Sequence, residues 1–265
     1  MNRVYEKFDL ITGKWWFIII FLIVGSLPPY VSKGFSPERT QGIIIDILKS
    51  SIMNSLPQSV YIIFKIIPIV LIILLLLLRN RLRIVFTIYV GISYILFALL
   101  QGIAFSPNFG FGIITGNMLM FLIVSASWFL DISFRKNDFE NIKLTFWKYL
   151  MAFLSIIAFW YPLNQKTGLP DFNPLYFITN GAGLAFCMMT PVYLFILLLI
   201  YPRVNRVTLR ITSLAGFIIG IYNMLINFGV NPEKYWWNGV LHFPLLIISL
   251  ISLILSFRRT LKEVE

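Results

Sequence analysis

Long apolar runs alternate with short charged or turn-forming stretches along the whole chain. Eight runs read as membrane-crossing helices, because about twenty consecutive apolar residues span a bilayer. They cover 15–31, 59–78, 84–105, 112–130, 146–163, 175–201, 207–229 and 238–257. Trp15 and Trp16 open the first as interfacial anchors, and Pro28-Pro29 close it. Arg79, Arg81 and Arg83 stop the second, and Ser106-Pro107-Asn108-Phe109-Gly110 turns the chain between the third and fourth. A straight helix over 175–201 would be roughly 40 Å long. That exceeds a hydrocarbon core of about 30 Å, so this helix is expected to tilt or to kink at Pro191. Asn180-Gly-Ala-Gly183 is read as part of the same apolar helix.

A ninth pattern, over 43–56, is amphipathic. Ile44, Ile47, Leu48, Ile52 and Leu56 fall on one side, and Asp46, Lys49, Ser50 and Asn54 on the other. That suits a short helix lying on the outer surface.

The distribution of positive charge sets an orientation. With eight crossings, sixteen Lys and Arg fall on one side and six on the other, counting Lys65 with the six. Positive residues mark cytoplasmic loops, so both termini are expected inside. A seven-helix count would break this alternation. The expected fold is therefore all-α: one polytopic membrane helix bundle over 1–265, with the surface helix added. The first run lacks a small-x-small cleavage pattern and reads as an uncleaved helix. The chain is expected to be a multi-pass integral protein of the cell membrane.

Composition agrees. Hydrophobic residues make up 58% and charged residues 12%, about half the charged share of an ordinary soluble domain. The net charge of +11 then belongs to loops at the membrane surface, and nucleic acid is not an expected partner. The single cysteine, Cys187, excludes an intrachain disulfide and any cysteine-based metal cluster. The single histidine excludes a multi-histidine metal or haem site. P-loop, H-E-x-x-H, C-x-x-C and G-x-S-x-G motifs are missing, so no cofactor is expected.

Topology gives each intramembrane polar residue a depth. Asn117, Asn180, Asn223, Asn227, Asn238, His242 and Lys65, with Gln101, all fall toward the outer face. Asn223 and Asn227 share a helix face, which Gly216 and Gly220 continue inward as a small-xxx-small seam. Asn238, His242, Ser249, Ser252 and Ser256 form one stripe, and Asn180, Gly183, Cys187 and Thr190 another. Lipid offers polar groups no hydrogen bond, so the stripes should face the bundle interior. Trp160, Tyr161, Tyr235, Trp236 and Trp237 stand ready to wall the resulting space. Asp131, at the inner border, is expected to pair with Arg135 or Lys136.

These positions point to a recess, open outward, that binds a small neutral or anionic ligand. A membrane transport or binding protein is the leading reading. One alternative is a membrane enzyme acting on a lipid-linked substrate at the outer leaflet, with His242 as base and Asp171 or Glu233 assisting. Another is a non-catalytic subunit bound to a further membrane protein. The bilayer itself is an expected partner in every case.

Overall fold

The computed structural model describes residues 2–140, 142, 144–164, 167–230 and 232–258. Lys143, Lys166, Arg259 and Lys262, which enter the charge count above, lie outside the described residues. The fold is largely helical. Among the described residues five helices are long and apolar enough to cross a membrane, and up to seven spans result if each of two bent helix pairs is one. An apolar helix of fifteen residues adds to these.

The helices are α1 (Asn2–Thr12), α2 (Trp15–Gly25), α3 (Thr40–Lys49), α4 (Gln58–Leu78), α5 (Arg83–Leu96), α6 (Thr115–Phe134), α7 (Phe146–Trp160), α8 (Tyr176–Thr179), α9 (Phe186–Ile200), α10 (Arg206–Gly229) and α11 (Pro232–Phe257). A π-helical turn, Phe97–Gln101, extends α5. The eight expected runs all contain helix, but they are not eight uniform spans. The first run stops as helix at Gly25, ahead of the two prolines, because the residue before a proline is pushed out of the helical region. The charged stretch before it is itself helix α1, bent by 68° from α2.

The run 84–105 also ends early. Its last residues form β2 (Ile103–Ser106), which pairs with β3 (Gly110–Ile113) across the expected turn; β1 (Tyr30–Val31) pairs on the other side, in the order β1-β3-β2. This small antiparallel sheet supports α3. Ile43 and Ile47 are fully buried against Val31, Ala104 and Ile114. The polar face of α3 is not simply solvated, because the Asp46 carboxylate accepts from Ser106 Oγ and, at 3.0 Å, from Asn108 Nδ2.

The run 175–201 is the largest departure. It breaks into α8, a 3₁₀ turn over Gly181–Leu184, and α9, with a 96° bend between Tyr176–Leu184 and α9. Asn180 is extended and its Oδ1 accepts the Ala182 N–H, a local bond that competes with helix. Gly183 then lets this turn lie against the α4 backbone, since a Cβ there would strike the Phe64 carbonyl. The expected stripe from Asn180 to Thr190 is therefore not one helix face.

The core sits on α9 and α10. Tyr193 packs edge-on against Phe86, Tyr94 and Trp128, and Phe121 stacks on Phe186 with centroids 4.1 Å apart. Gly220 brings α11 close, because a Cβ there would lie 3.2 Å from Leu246 Cα. At the charged end of the bundle, buried Asp131 accepts from Asn137 Nδ2 and Asn205 Nδ2, both at 2.7 Å, and from the Lys136 N–H. Neighbouring amides hold this carboxylate, where a cation was expected. Asp138 nearby is solvated. Burial works to raise its carboxyl, but the Glu140 N–H, the Asn80 amide and Arg203 outweigh that and hold it below the usual carboxylate range.

Buried Arg210 fastens α1 to α10 and α11. Its Nη1 donates to Asp9 Oδ1 at 2.9 Å and to Thr12 Oγ1 at 2.7 Å, and its Nη2 to Ser256 O at 2.8 Å. Asp9→Ala leaves that guanidinium without its carboxylate. The expected loss is about 3 kcal/mol, the lower end for a broken buried pair because Asp9 is partly wet. Thermal unfolding of the purified variant in detergent measures it.

Candidate functional site

A cavity of about 500 Å³ opens at the end of the bundle where α5, α7 and α10 finish and α4, α6, α9 and α11 begin. Four of the seven sequence-derived positions line it: Asn117 on α6, Asn223 on α10, and Asn238 and His242 on α11. Gln101 and Tyr161 line it as well. No aspartate or glutamate is among the described lining residues.

The remaining three positions are placed otherwise. Asn180 ends α7, donating Nδ2 to Trp160 O at 2.8 Å and to Tyr161 O at 3.2 Å. Asn227 is buried between α10 and α11. Lys65 neither lines the recess nor reaches outward. It is fully buried, bonds the Phe159 carbonyl, and lies over the Phe159 ring at 4.1 Å from the centroid. The turn that Gly183 presses onto α4 accounts for this, because it packs against the backbone at Phe64 and Lys65. Of the five expected aromatics only Tyr161 is a lining residue. Trp160 stacks on Phe177, and Trp237 donates to Pro162 O.

A chain of hydrogen bonds ties the wall together. Tyr161 Oη donates to Asn238 Oδ1 at 2.7 Å, Asn238 Nδ2 to Asn227 Oδ1 at 2.8 Å, and Asn227 Nδ2 to Asn223 O at 2.8 Å. It runs from α7 through α11 to α10. Tyr161 holds a left-handed backbone, φ 51°, that costs a non-glycine residue energy. Asn180 on its carbonyl and Asn238 on its hydroxyl hold it there.

Other groups in the wall keep bonding capacity. Asn117 makes no side-chain hydrogen bond among the described residues. Gln101 uses Oε1 to accept the Phe186 N–H at 3.1 Å, capping α9, which leaves its amide hydrogens. His242 Nδ1 lies 2.7 Å from Asn238 O. A carbonyl only accepts, so Nδ1 carries the proton and Nε2 of the neutral ring is an acceptor. Asn223 Nδ2 reaches Ile219 O at 2.9 Å and Cys187 Sγ at 3.7 Å.

Sequence reasoning missed Lys49 at this site. It reads as a solvated residue on the polar side of α3, yet the seating of α3 on the sheet brings it into the cavity wall. Tyr61 and Asn54 were missed as well, although their own bonds are local: Tyr61 Oη donates to Met53 O at 2.7 Å and Asn54 Nδ2 to Leu48 O at 2.8 Å. A second cavity, of about 600 Å³, shares Leu48, Asn117, Ile219 and Asn223 with the first. Asn117 and Asn223 thus stand between two lobes. Asp171 and Glu233 line neither; Asp171 Oδ2 accepts the Tyr176 hydroxyl at 2.6 Å. No cluster of three or more His, Cys, Asp or Glu side chains suited to a metal occurs among the described residues.

Compared with known proteins, the chain matches no protein family, no curated relative and no solved structure.

The wall separates structural amides from available ones. Asn227→Ala strands the Asn238 amide and should cost about 1–3 kcal/mol. Asn117→Ala removes an amide that bonds nothing and should stay within about 0.5 kcal/mol of wild type. Paired thermal-unfolding curves check both values.

Proposed function

We propose that this chain is a multi-pass membrane protein that binds a small polar ligand in its amide-lined recess, in the service of transport or reception. The observation that carries the reading is one cavity of about 500 Å³ into which three separately placed helices and α3 bring Asn117, Asn223, Asn238, His242 and Lys49. Cavities of this size suit small molecules. The wall offers donors from Asn117, Gln101 and Lys49 and an acceptor at His242 Nε2. One ammonium and no carboxylate among the described lining residues favour a neutral or anionic ligand over a cation.

The topology we propose has eight crossings, counting α7 and each bent pair as one, with both termini inside. The excess of Lys and Arg at the end opposite the recess supports it. The recess then faces outward, and the protein belongs in the cell membrane. A subunit role in a larger membrane assembly is compatible with the same recess. An enzyme of the outer leaflet has support only from the uncommitted Nε2 of His242 in the recess wall, since neither Asp171 nor Glu233 lines the recess.

The test is a thermal-shift screen of the purified chain in detergent against neutral polyols, zwitterions, monocarboxylates and monovalent cations. At least one neutral or anionic class should stabilise wild type, with affinity lowered tenfold or more in Asn117→Ala and His242→Ala. A ligand set limited to cations, or hits indifferent to both substitutions, would sink the reading.

A further inference from the structure

The opposite end of the bundle carries a second recess, of about 320 Å³, with a different chemistry. Four cations from four segments line it. Lys136 follows α6, Arg203 follows α9, Arg206 opens α10 and Arg258 follows α11. Among the described lining residues Asp138 is the one carboxylate set against these four cations, and Asp9 Oδ2 lies 4.0 Å from Arg206 Nη1. Basic residues ordinarily spread along the loops that flank membrane helices. Here chain positions more than a hundred residues apart converge on one concavity.

The groups are held in place. Arg203 Nη1 lies 3.0 Å from Asp138 Oδ2. The Arg206 side chain is only 13% exposed, and its Nη2 donates to the Arg258 carbonyl. Lys136 Nζ sits over the Tyr5 ring, 5.0 Å from the centroid. The Tyr5 oxygen accepts the Arg206 N–H at 3.2 Å, which directs its own hydroxyl hydrogen elsewhere. Guanidinium forks match the paired oxygens of a phosphate, and the phenol adds a donor.

We infer that this recess binds a phosphate group, as carried by an anionic phospholipid headgroup or by a soluble phosphate. Its position supports the lipid source. The recess lies at the ends of α6, α9 and α11 and beside α1, which exposes Val4, Leu10 and Ile11. An amphipathic helix of that kind lies at headgroup depth, where basic pockets between helix ends take anionic headgroups. The lipid source rests on the membrane reading above; the phosphate chemistry does not.

The experiment uses the full chain purified in a neutral detergent. Short-chain phosphatidylglycerol, short-chain phosphatidylcholine of equal tail length, and inorganic phosphate are titrated separately, with binding read by native mass spectrometry and thermal shift. Phosphatidylglycerol should bind at least tenfold more tightly than phosphatidylcholine. Arg258→Gln and Lys136→Gln should each weaken it about fivefold, and Arg258→Lys should restore most of the loss. Arg258 is exposed, and unliganded melting curves verify that its variants fold. Binding of phosphatidylglycerol that excess inorganic phosphate does not displace supports the lipid source. Binding of inorganic phosphate with the same charge dependence supports the soluble source. Equal affinity for both lipids, indifference to both glutamine variants, or no binding by any of the three probes overturns the inference. None of these outcomes bears on Asn117 or His242, so failure here is distinct from failure of the amide-lined site.

Discussion

A helix end buried away from water must find partners for its unpaired main-chain groups, and this architecture depends on how that is done. Side-chain amides supply much of the answer. Asn180 receives no ligand-like task; it terminates α7 by bonding the carbonyls of Trp160 and Tyr161. Gln101 caps the start of α9, reaching it across the bundle. Asn205 caps α10 through the Val207 and Thr208 N–H groups, while its own amide holds Asp131. Helices can therefore start and stop inside the bundle, and the space between such ends is what becomes a cavity.

That same arrangement explains what was legible in the sequence. The apolar runs were, because hydrophobic length is a local property. So was the gathering of Asn117, Asn223, Asn238 and His242 at one end of the bundle, because alternating charged loops order the residues along it. The broken segment at Asn180-Gly-Ala-Gly183 had a signal, an Asn followed by two glycines, but averaging hydropathy over 175–201 hid it. The sheet was not legible. Ile103–Ser106 and Gly110–Ile113 are apolar enough to continue a helix, and their pairing with Tyr30–Val31 is long-range.

The site divides the same way. Spacing identified helix faces, so Asn223, Asn238 and His242 were found. Spacing does not say which amide bonds another amide and which faces a void. Asn227 and Asn180 are satisfied by protein, and Asn117 is not. Lys65 and Lys49 exchange their expected places for a single reason. Each lies on an element whose packing partner is remote in sequence: the turn at Gly181–Leu184 over one, the three-stranded sheet under the other.

Asn238 has committed both ends of its amide, the oxygen to α7 and the nitrogen to α10. A guest molecule that takes the place of Tyr161 or Asn227 on this residue removes a strut between two helices and loosens the bundle around it, whereas one that uses only the second amide hydrogen or second lone pair leaves both struts standing. Asn117 carries no such obligation. The two asparagines thus offer different currencies to a visitor, simple adhesion at one and mechanical work at the other.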